Sequence, residues 1–317
     1  MSADGLRIVF MGTPDFAVPS LKALIETENV VGVICQPDRP KGRGHKLAAC
    51  PVKEVAVSCG IPVFQPEKIK SPEGLEQLRA FEPDLCVTAA FGQLLSAANL
   101  AVPKLGTINV HASLLPRHRG SAPVHWSILM GDSETGVTTM MTDIGMDTGD
   151  MLLARSVPIG PEDTAGTMTD RLAELGASVL LETLARLRDG TLKRIPQNAE
   201  LATTEPKLTR ELGALDFGKT AAELDRHVRG LSPWPGAFTK MDDVVIKVGR
   251  IRPAAGSGRP GLILAADAGL GLIVACGDGA VELSDIQMPG GRMMSSREYL
   301  RGHHIETGKV LGEEHAE

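Results

Sequence analysis

Short apolar runs recur through the first half of the chain, each followed by a segment whose apolar residues return every three to four positions. Leu6 to Met11 enters the turn Gly12-Thr13-Pro14-Asp15, after which Leu21, Leu24 and Ile25 recur at helical spacing. Val30 to Ile34 and Leu85 to Ala90 repeat the strand pattern, with helical patterns around Val52 to Val57 and Glu73 to Phe81 between them. Strands that are apolar on both faces must be covered on both faces, so this alternation predicts a parallel sheet between helices. Thr107 to Val110 is a further strand, followed by a loop holding Pro116, Arg117, Arg119 and Gly120 and by a helix over Ala122 to Met130. Val137 to Thr142 and Met151 to Val157 read as strands joined by the turn Gly145-Met146-Asp147-Thr148-Gly149-Asp150. From Asp163 a long helix carries Met168, Leu172, Leu175, Val179, Leu180, Leu184 and Leu187 until Asp189-Gly190 ends it.

With 317 residues the chain exceeds one ordinary domain. Residues 191 to 207 lack periodicity and contain Pro196 and Pro206, which predicts a linker. Beyond Leu208, after a helical stretch from Ala221 to Val228, the pieces Val244 to Val248, Gly261 to Ala265, Gly271 to Cys276 and Ala280 to Ile286 are short and separated by glycine or aspartate turns. That spacing predicts a small antiparallel, OB-like β-barrel. The expected fold class is therefore α/β: a Rossmann-like, doubly wound, mostly parallel sheet over 1–190, a linker over 191–207 and a β-barrel domain over 208–317. Gly312 to Glu317 reads as a loose tail.

Composition removes several classes. The longest apolar runs are far too short to span a bilayer, and the N-terminus carries no basic-then-apolar signal pattern, so a cytoplasmic protein without membrane partners is expected. Five cysteines (Cys35, Cys50, Cys59, Cys86, Cys276) form no CxxC pair and predict buried reduced thiols. No His, Cys or Glu cluster has metal-ligand spacing, so no metal is expected. The net charge of −6 argues against a surface that coats nucleic acid wholesale. Charge is nevertheless concentrated. Between residues 36 and 53, Arg39, Lys41, Arg43, Lys46 and Lys53 face only Asp38, a local surplus of +4. The segment Gln36 to Lys46 is too rich in Gly, Pro and charge for a core and interrupts a strand-to-helix connection that ordinarily needs few residues. It reads either as a solvated loop or as an arm for a phosphate backbone.

Asn109 and His111 stand two apart at a strand end, so their side chains project to the same side and can meet one substrate atom. An amide NH2 donates to a developing oxyanion, and an imidazole can add a donor or move a proton. Asp147 shares its turn with Asp143 and Asp150, where aspartates ordinarily close the turn through backbone amides. One of them could instead face the imidazole and hold its tautomer. The run His111 to Gly120 combines an apolar turn with two arginines, suited to a flat heterocycle with an anionic tail. Gly12-Thr13-Pro14-Asp15-Phe16 lacks the G-x-G-x-x-G glycines of a dinucleotide loop.

Together these segments resemble the methionyl-tRNA formyltransferase family, a group of folate-dependent formyltransferases. The likeness runs through Phe10 to Phe16, the Gln36 to Lys46 loop, Asn109 to Gly120, Gly145 to Met151 and Ser232-Pro233-Trp234-Pro235. It implies the formyltransferase fold and an active site of Asn109, His111 and Asp147. It also implies a 10-formyltetrahydrofolate site bordered by Ser113, Leu114, Leu115 and Pro116. The expected partner is initiator methionyl-tRNA, met through Arg39, Lys41, Arg43 and Lys46, and the expected enzyme is a monomer. The second half departs from this pattern. From 208 onward 13 Lys plus Arg stand against 15 Asp plus Glu, a net of −2, where a basic face for tRNA is expected unless Arg226, Arg229, Lys247, Arg250, Arg252 and Arg259 share one side. Three alternatives stay open: a transformylase acting on a purine precursor, a nucleotide sugar or water; a nicotinamide-dependent oxidoreductase, disfavoured by the missing glycines; and a non-catalytic RNA-binding module, which leaves Asn109 to Gly120 without a role.

Overall fold

The computed structural model describes residues 5–41 and 46–312. Arg43, the glycine-rich middle of the basic loop and positions 313–317 of the expected tail lie outside the described residues. The chain divides into two compact units, each considered by itself. One takes the described residues up to Pro123 together with Glu134–Pro158 and Thr169–Pro206, and the other takes Val124–Ser133, Ile159–Met168 and the described residues from Lys207 on.

In chain order the first unit holds β1 (Arg7–Gly12), α1 (Val18–Thr27), β2 (Asn29–Ile34), β3 (Arg39–Lys41), β4 (Lys46–Ala48), α2 (Pro51–Ser58), β5 (Val63–Phe64), α3 (Pro72–Ala80), β6 (Leu85–Ala89), α4 (Ala97–Leu100) and β7 (Thr107–His111). After α5 (Pro123–Leu129) come β8 (Glu134–Met141), β9 (Met151–Pro158) and α6 (Ala165–Arg188). The main sheet runs β5-β2-β1-β6-β7-β8-β9. Its pairings from β5 to β7 are parallel, and β7–β8 and β8–β9 are antiparallel, so the expectation of a mostly parallel sheet matches the ladders. Ile8, Val9, Phe10 and Met11 have no exposed surface, as strands covered on both faces require. The chain steps outward from β1 through β2 to β5, then returns to place β6 on the other side of β1. Such a reversal opens a crevice at the carboxyl ends of the strands. Those ends are knitted together: Thr13 Oγ1 and Gln36 Nε2 both donate to the Phe91 carbonyl at 3.2 and 3.1 Å.

α6 lies close over the site strand. A Cβ added to Gly176 would come 3.0 Å from Val110 Cγ1 on β7, and only a glycine lets the helix approach that near. β5 and α4 were not anticipated because each is too short to show a period. The segment read as a loop around Lys41 is flanked by an antiparallel pair, β3 with β4. Pairing of Arg39 with Ala48 and of Lys41 with Lys46 makes the base of that excursion a ribbon.

The second unit holds α7 (Ala221–Gly230), β10 (Ala237–Met241), β11 (Val244–Ala254), β12 (Ile263–Asp267), β13 (Gly271–Cys276), β14 (Gly279–Gln287), β15 (Met294–Ser295) and α8 (Ser296–Tyr299). The strands form an antiparallel sheet β10-β11-β14-β13-β12, with β15 against β14. β10 was missed because Trp234-Pro235-Gly236 masks its start, and β11 runs past Val248 because register shifts let it bend rather than stop. The two edge strands are bridged by the backbone of residues 308–312. Ile263 N donates to Lys309 O at 2.8 Å, Leu311 N to Gly261 O at 2.8 Å and Gly312 N to Lys240 O at 2.9 Å. A C-terminal segment thus takes the closing position between β12 and β10, which satisfies edges that would otherwise stand open. Ile246, Val274, Val281, Leu283 and Ile286 are wholly or almost wholly buried at its centre, and α7 adds Leu224 and Val228.

The thiols divide. Cys35, Cys86 and Cys276 are buried as expected, whereas Cys50 is half-buried and Cys59 is exposed at the end of α2. Desolvation pushes the Cys86 thiol up to about 12, and desolvation together with a hydrogen bond to Cys50 does the same for Cys35. Since only the thiolate reacts, brief alkylation at pH 8 is expected to label Cys59 and spare Cys35 and Cys86. Peptide mapping that found Cys86 labelled as fast as Cys59 would contradict this.

Candidate active site

β7 lies inside the sheet, between β6 and β8, so Asn109 is held on both sides and His111 by β8. Asn109 pairs in register with Thr88 on β6 and Met140 on β8, and His111 pairs with Thr138. Thr88 Oγ1 donates to Asn109 Oδ1 at 2.9 Å. The amide oxygen is therefore engaged and Nδ2 is turned the other way, toward Asp147 Oδ1 at 3.5 Å. The His111 ring is 6% exposed, and its Nε2 lies 3.1 Å from the His118 carbonyl oxygen. A carbonyl only accepts, so Nε2 carries the hydrogen and Nδ1 faces Asp147 Oδ1 at 3.7 Å.

Asp147 occupies the left-handed region at φ 55°, a conformation an aspartate tolerates better than most side chains. Its Oδ2 accepts from the Gly120 amide at 2.9 Å, which leaves Oδ1 to face the amide and the imidazole. Asp143, by contrast, caps its own turn through the Gly145 amide and the Thr148 hydroxyl, at 3.0 and 2.7 Å. Of the two, only Asp147 reaches the Asn109 and His111 pair. Asn109 Nδ2, His111 Nδ1 and Asp147 Oδ1 thus converge at separations of 3.5 and 3.7 Å, so the three groups can address one reacting atom placed beside them.

The turn after His111 is built from the inside. Ser113 has no exposed surface, and its hydroxyl donates to the Arg117 carbonyl at 2.7 Å. Its own carbonyl accepts from Thr138 Oγ1 at 2.7 Å, and that same hydroxyl oxygen accepts from the Leu115 amide at 3.2 Å. Leu115 is buried as well, so Leu114 and Pro116, both half-buried, are the side chains this turn offers to a ligand. At the basic ribbon, Lys53 and Asp38 neutralise one another at 2.6 Å. A hydrogen bond from Gln65 and the Lys53 contact hold the Asp38 carboxyl below its ordinary value. With Lys53 and Asp38 offsetting one another, the surplus charge counted for this stretch is carried in the sequence by Arg39, Lys41, Arg43 and Lys46. Arg39 is exposed.

Sequence reasoning did not reach three contributors. Thr88 fixes the Asn109 amide, the His118 carbonyl anchors the His111 ring, and Gln197 bonds both surrounding loops. None has a periodic signature; Gln197 falls in the stretch read as a linker.

A family described as formyl transferase matches residues 6–184, and one described as formyl transferase, C-terminal domain, matches residues 207–304. The chain is 49% identical over 313 residues to the methionyl-tRNA formyltransferase of Citrifermentans bemidjiense, covering 98% of each. It is 50% identical over 312 residues to that of Ruminiclostridium cellulolyticum, covering 97% of this chain and all of the relative. The chain belongs to the methionyl-tRNA formyltransferase family. As a methionyl-tRNA formyltransferase it has the formyltransferase fold: a mostly parallel N-terminal sheet with helices and an antiparallel β domain. Two solved structures share that fold at low identity. They are WlaRD, a sugar 3N-formyl transferase crystallised in the presence of dTDP and 5-N-formyl-THF (TM-score 0.66, 18% identity, 92% of this chain and 100% of that one), and HypX from Aquifex aeolicus in complex with tetrahydrofolic acid (TM-score 0.61, 19% identity, 94% and 47%). Among the described residues of this formyltransferase no group of three or more His, Cys, Asp or Glu could hold a metal ion, and no helix is long and apolar enough to cross a membrane.

Proposed function

We propose that this enzyme transfers the formyl group of 10-formyltetrahydrofolate to the α-amino group of methionyl initiator tRNA, at a site formed by Asn109, His111 and Asp147. The observation that carries the reading is the convergence of the Asn109 and His111 donors on Asp147 at the end of β7, in a chain matched over nearly its whole length by methionyl-tRNA formyltransferases.

The amine attacks the formyl carbon, a C–N bond forms, and the carbonyl oxygen takes negative charge. Asn109 Nδ2 donates to that oxygen; its other amide atom is already held by Thr88, so the donor needs no reorientation. His111 is anchored through Nε2, so donation from Nδ1 uses the imidazolium, whose charge the Asp147 carboxylate offsets. Asp147 Oδ1 also receives the proton that leaves the attacking nitrogen. The intermediate collapses as the bond to folate N10 breaks and that nitrogen takes up the proton held by Asp147, releasing tetrahydrofolate and formylmethionyl-tRNA.

In this reading residues 1–190 are catalytic, 191–207 connect, and 208–317 bind tRNA. Ser113, Leu114, Leu115 and Pro116 border the folate, with Leu114 and Pro116 supplying its side-chain contacts. Arg39, Lys41, Arg43 and Lys46 meet the acceptor end of the RNA. On β11, Lys247 and Arg252 are exposed while Ile246, Val248 and Ile251 are buried, so a basic strip faces outward although the domain is acidic. Arg250 on the same strand is paired with Glu162, which tempers that strip. The enzyme works as a monomer in the cytoplasm, where charged tRNA is found.

A panel of three acceptors under one set of conditions tests the substrate. Initiator methionyl-tRNA should be formylated at least about 100-fold more efficiently in kcat/KM than elongator methionyl-tRNA, a specificity of about 2.7 kcal/mol. An amino-sugar nucleotide should not be formylated. Preference for the sugar would move the assignment to the transformylases that lack a tRNA arm.

A further inference from the structure

The geometry points to Gln197 as a positioning residue for formyl transfer. It lies in a segment that composition marks as a spacer, yet all four hydrogen-bonding sites of its amide are used, and they join the two loops that shape the active site. Its Oε1 accepts from Arg119 Nε at 3.1 Å and from Arg119 Nη2 at 2.7 Å. Its Nε2 donates to the carbonyls of Asp147 and Gly149, each at 2.8 Å. One side chain therefore fixes both the loop after β7 and the turn that carries the carboxylate.

The consequences reach two of the three groups proposed to meet substrate, Asp147 and His111. Asp147 sits at φ 55°, a backbone position that persists only when its surroundings hold it, and the bond from Gln197 to its carbonyl is one of those holds. Gly120, next to Arg119, gives its amide to Asp147 Oδ2 at 2.9 Å, so the clamp on Arg119 sets the orientation of that carboxylate from the other side. The same stretch of chain steadies His111. Arg119 N donates to Thr203 O at 2.9 Å and His118 N to Thr203 Oγ1 at 2.8 Å. It is the His118 carbonyl, held in this way, that anchors the His111 ring. Residues 195–205 act as a strap across the back of the site, beginning where Ile195 and Met151 exchange backbone hydrogen bonds at 2.9 Å. Gln197 is the point where the strap grips both loops. It touches none of the reacting atoms, so its contribution is to hold Asp147 and, through Arg119, the neighbourhood of His118. The inference rests on the formyl-transfer reading of the site.

Two substitutions separate its halves. Gln197→Ala removes every contact, whereas Gln197→Glu can still accept from Arg119 but cannot donate to the Asp147 and Gly149 carbonyls. Both are expected to lower kcat for methionyl-tRNA between about 10-fold and about 100-fold, the scale on which misplacement of catalytic groups acts, with little change in KM and a Tm lower by a few degrees. Amide exchange at Gly120 should quicken in both variants, a readout that needs no activity. In an Asp147→Asn background the kcat factor for Gln197→Ala should shrink, because part of what Gln197 holds is already lost. Wild-type kcat with unaltered Gly120 exchange in Gln197→Glu would overturn the proposal, and so would the same kcat factor in both backgrounds. If the wild-type enzyme fails to formylate methionyl-tRNA while Gly120 exchange still follows Gln197, the formyl-transfer reading fails and the clamp stands.

Discussion

His111→Ala and Asn109→Ala are each expected to lower kcat by on the order of a hundredfold or more, the usual loss when one donor to a developing oxyanion is removed. Folate binding should persist, because neither side chain belongs to the Ser113 to Pro116 turn. The two losses arise differently. Asn109 is fixed by the 2.9 Å bond from Thr88, so its removal deletes a donor that was already oriented. His111 is 6% exposed and anchored to the His118 carbonyl, so its removal also leaves a buried acceptor without its donor and should lower Tm by a few degrees. Folate titration and steady-state turnover, run side by side, separate binding from chemistry. Near-wild-type kcat in either variant would remove that residue from the site.

Gly149→Ala is expected to have the second largest effect, on stability and turnover together. Gly149 is buried at the end of the Asp147 turn, where β9 is about to begin, and an added Cβ would collide with the Met141 backbone carbonyl. Backbone on both sides cannot yield as a flexible side chain would, so the turn must shift. We expect a cost of about 2–3 kcal/mol, and a Tm lower by on the order of 5 °C. The Gly149 carbonyl is one of the two that Gln197 holds at 2.8 Å, so a displaced turn also loosens Asp147 two residues earlier. Thermal unfolding and kcat should fall in the same variant. A protein with unchanged Tm and turnover would show that the turn has slack that the packing does not suggest.

What could be read from the sequence, and what could not, follows from the range of the interactions. β1, β2 and β6 announce themselves because strands covered on both faces are largely apolar throughout, and α6 because its buried stripe runs for several turns. Elements of two to five residues such as β5, α4 and β10 owe their form to neighbours far away in the chain and carry no period of their own. The alternation of side chains along a strand was enough to place Asn109 and His111 on one side. The choice of Asp147 over Asp143 rested on resemblance, and its physical basis lies in contacts 27 and 38 residues away, at Gly120 and Asn109. Residues 195–205 read as a linker for the same reason. Their order comes from hydrogen bonds to the loop after β7 and the turn before β9, which local composition cannot encode. The segment of residues 308–312 that bridges the edges of the second sheet is equally silent in sequence, because it contributes backbone rather than a pattern of side chains.

In the proposed reaction Asn109, His111 and Asp147 move a formyl group from folate to an aminoacyl amine. Rapid-quench turnover with 10-formyltetrahydrofolate labelled in the formyl carbon and charged initiator methionyl-tRNA tests it most directly, comparing the wild-type enzyme with His111→Ala. The wild-type protein should place the label in formylmethionine, and His111→Ala should form that product about a hundredfold or more slowly. Label released as formate, or formylmethionine produced at equal rates by the two proteins, would contradict the account.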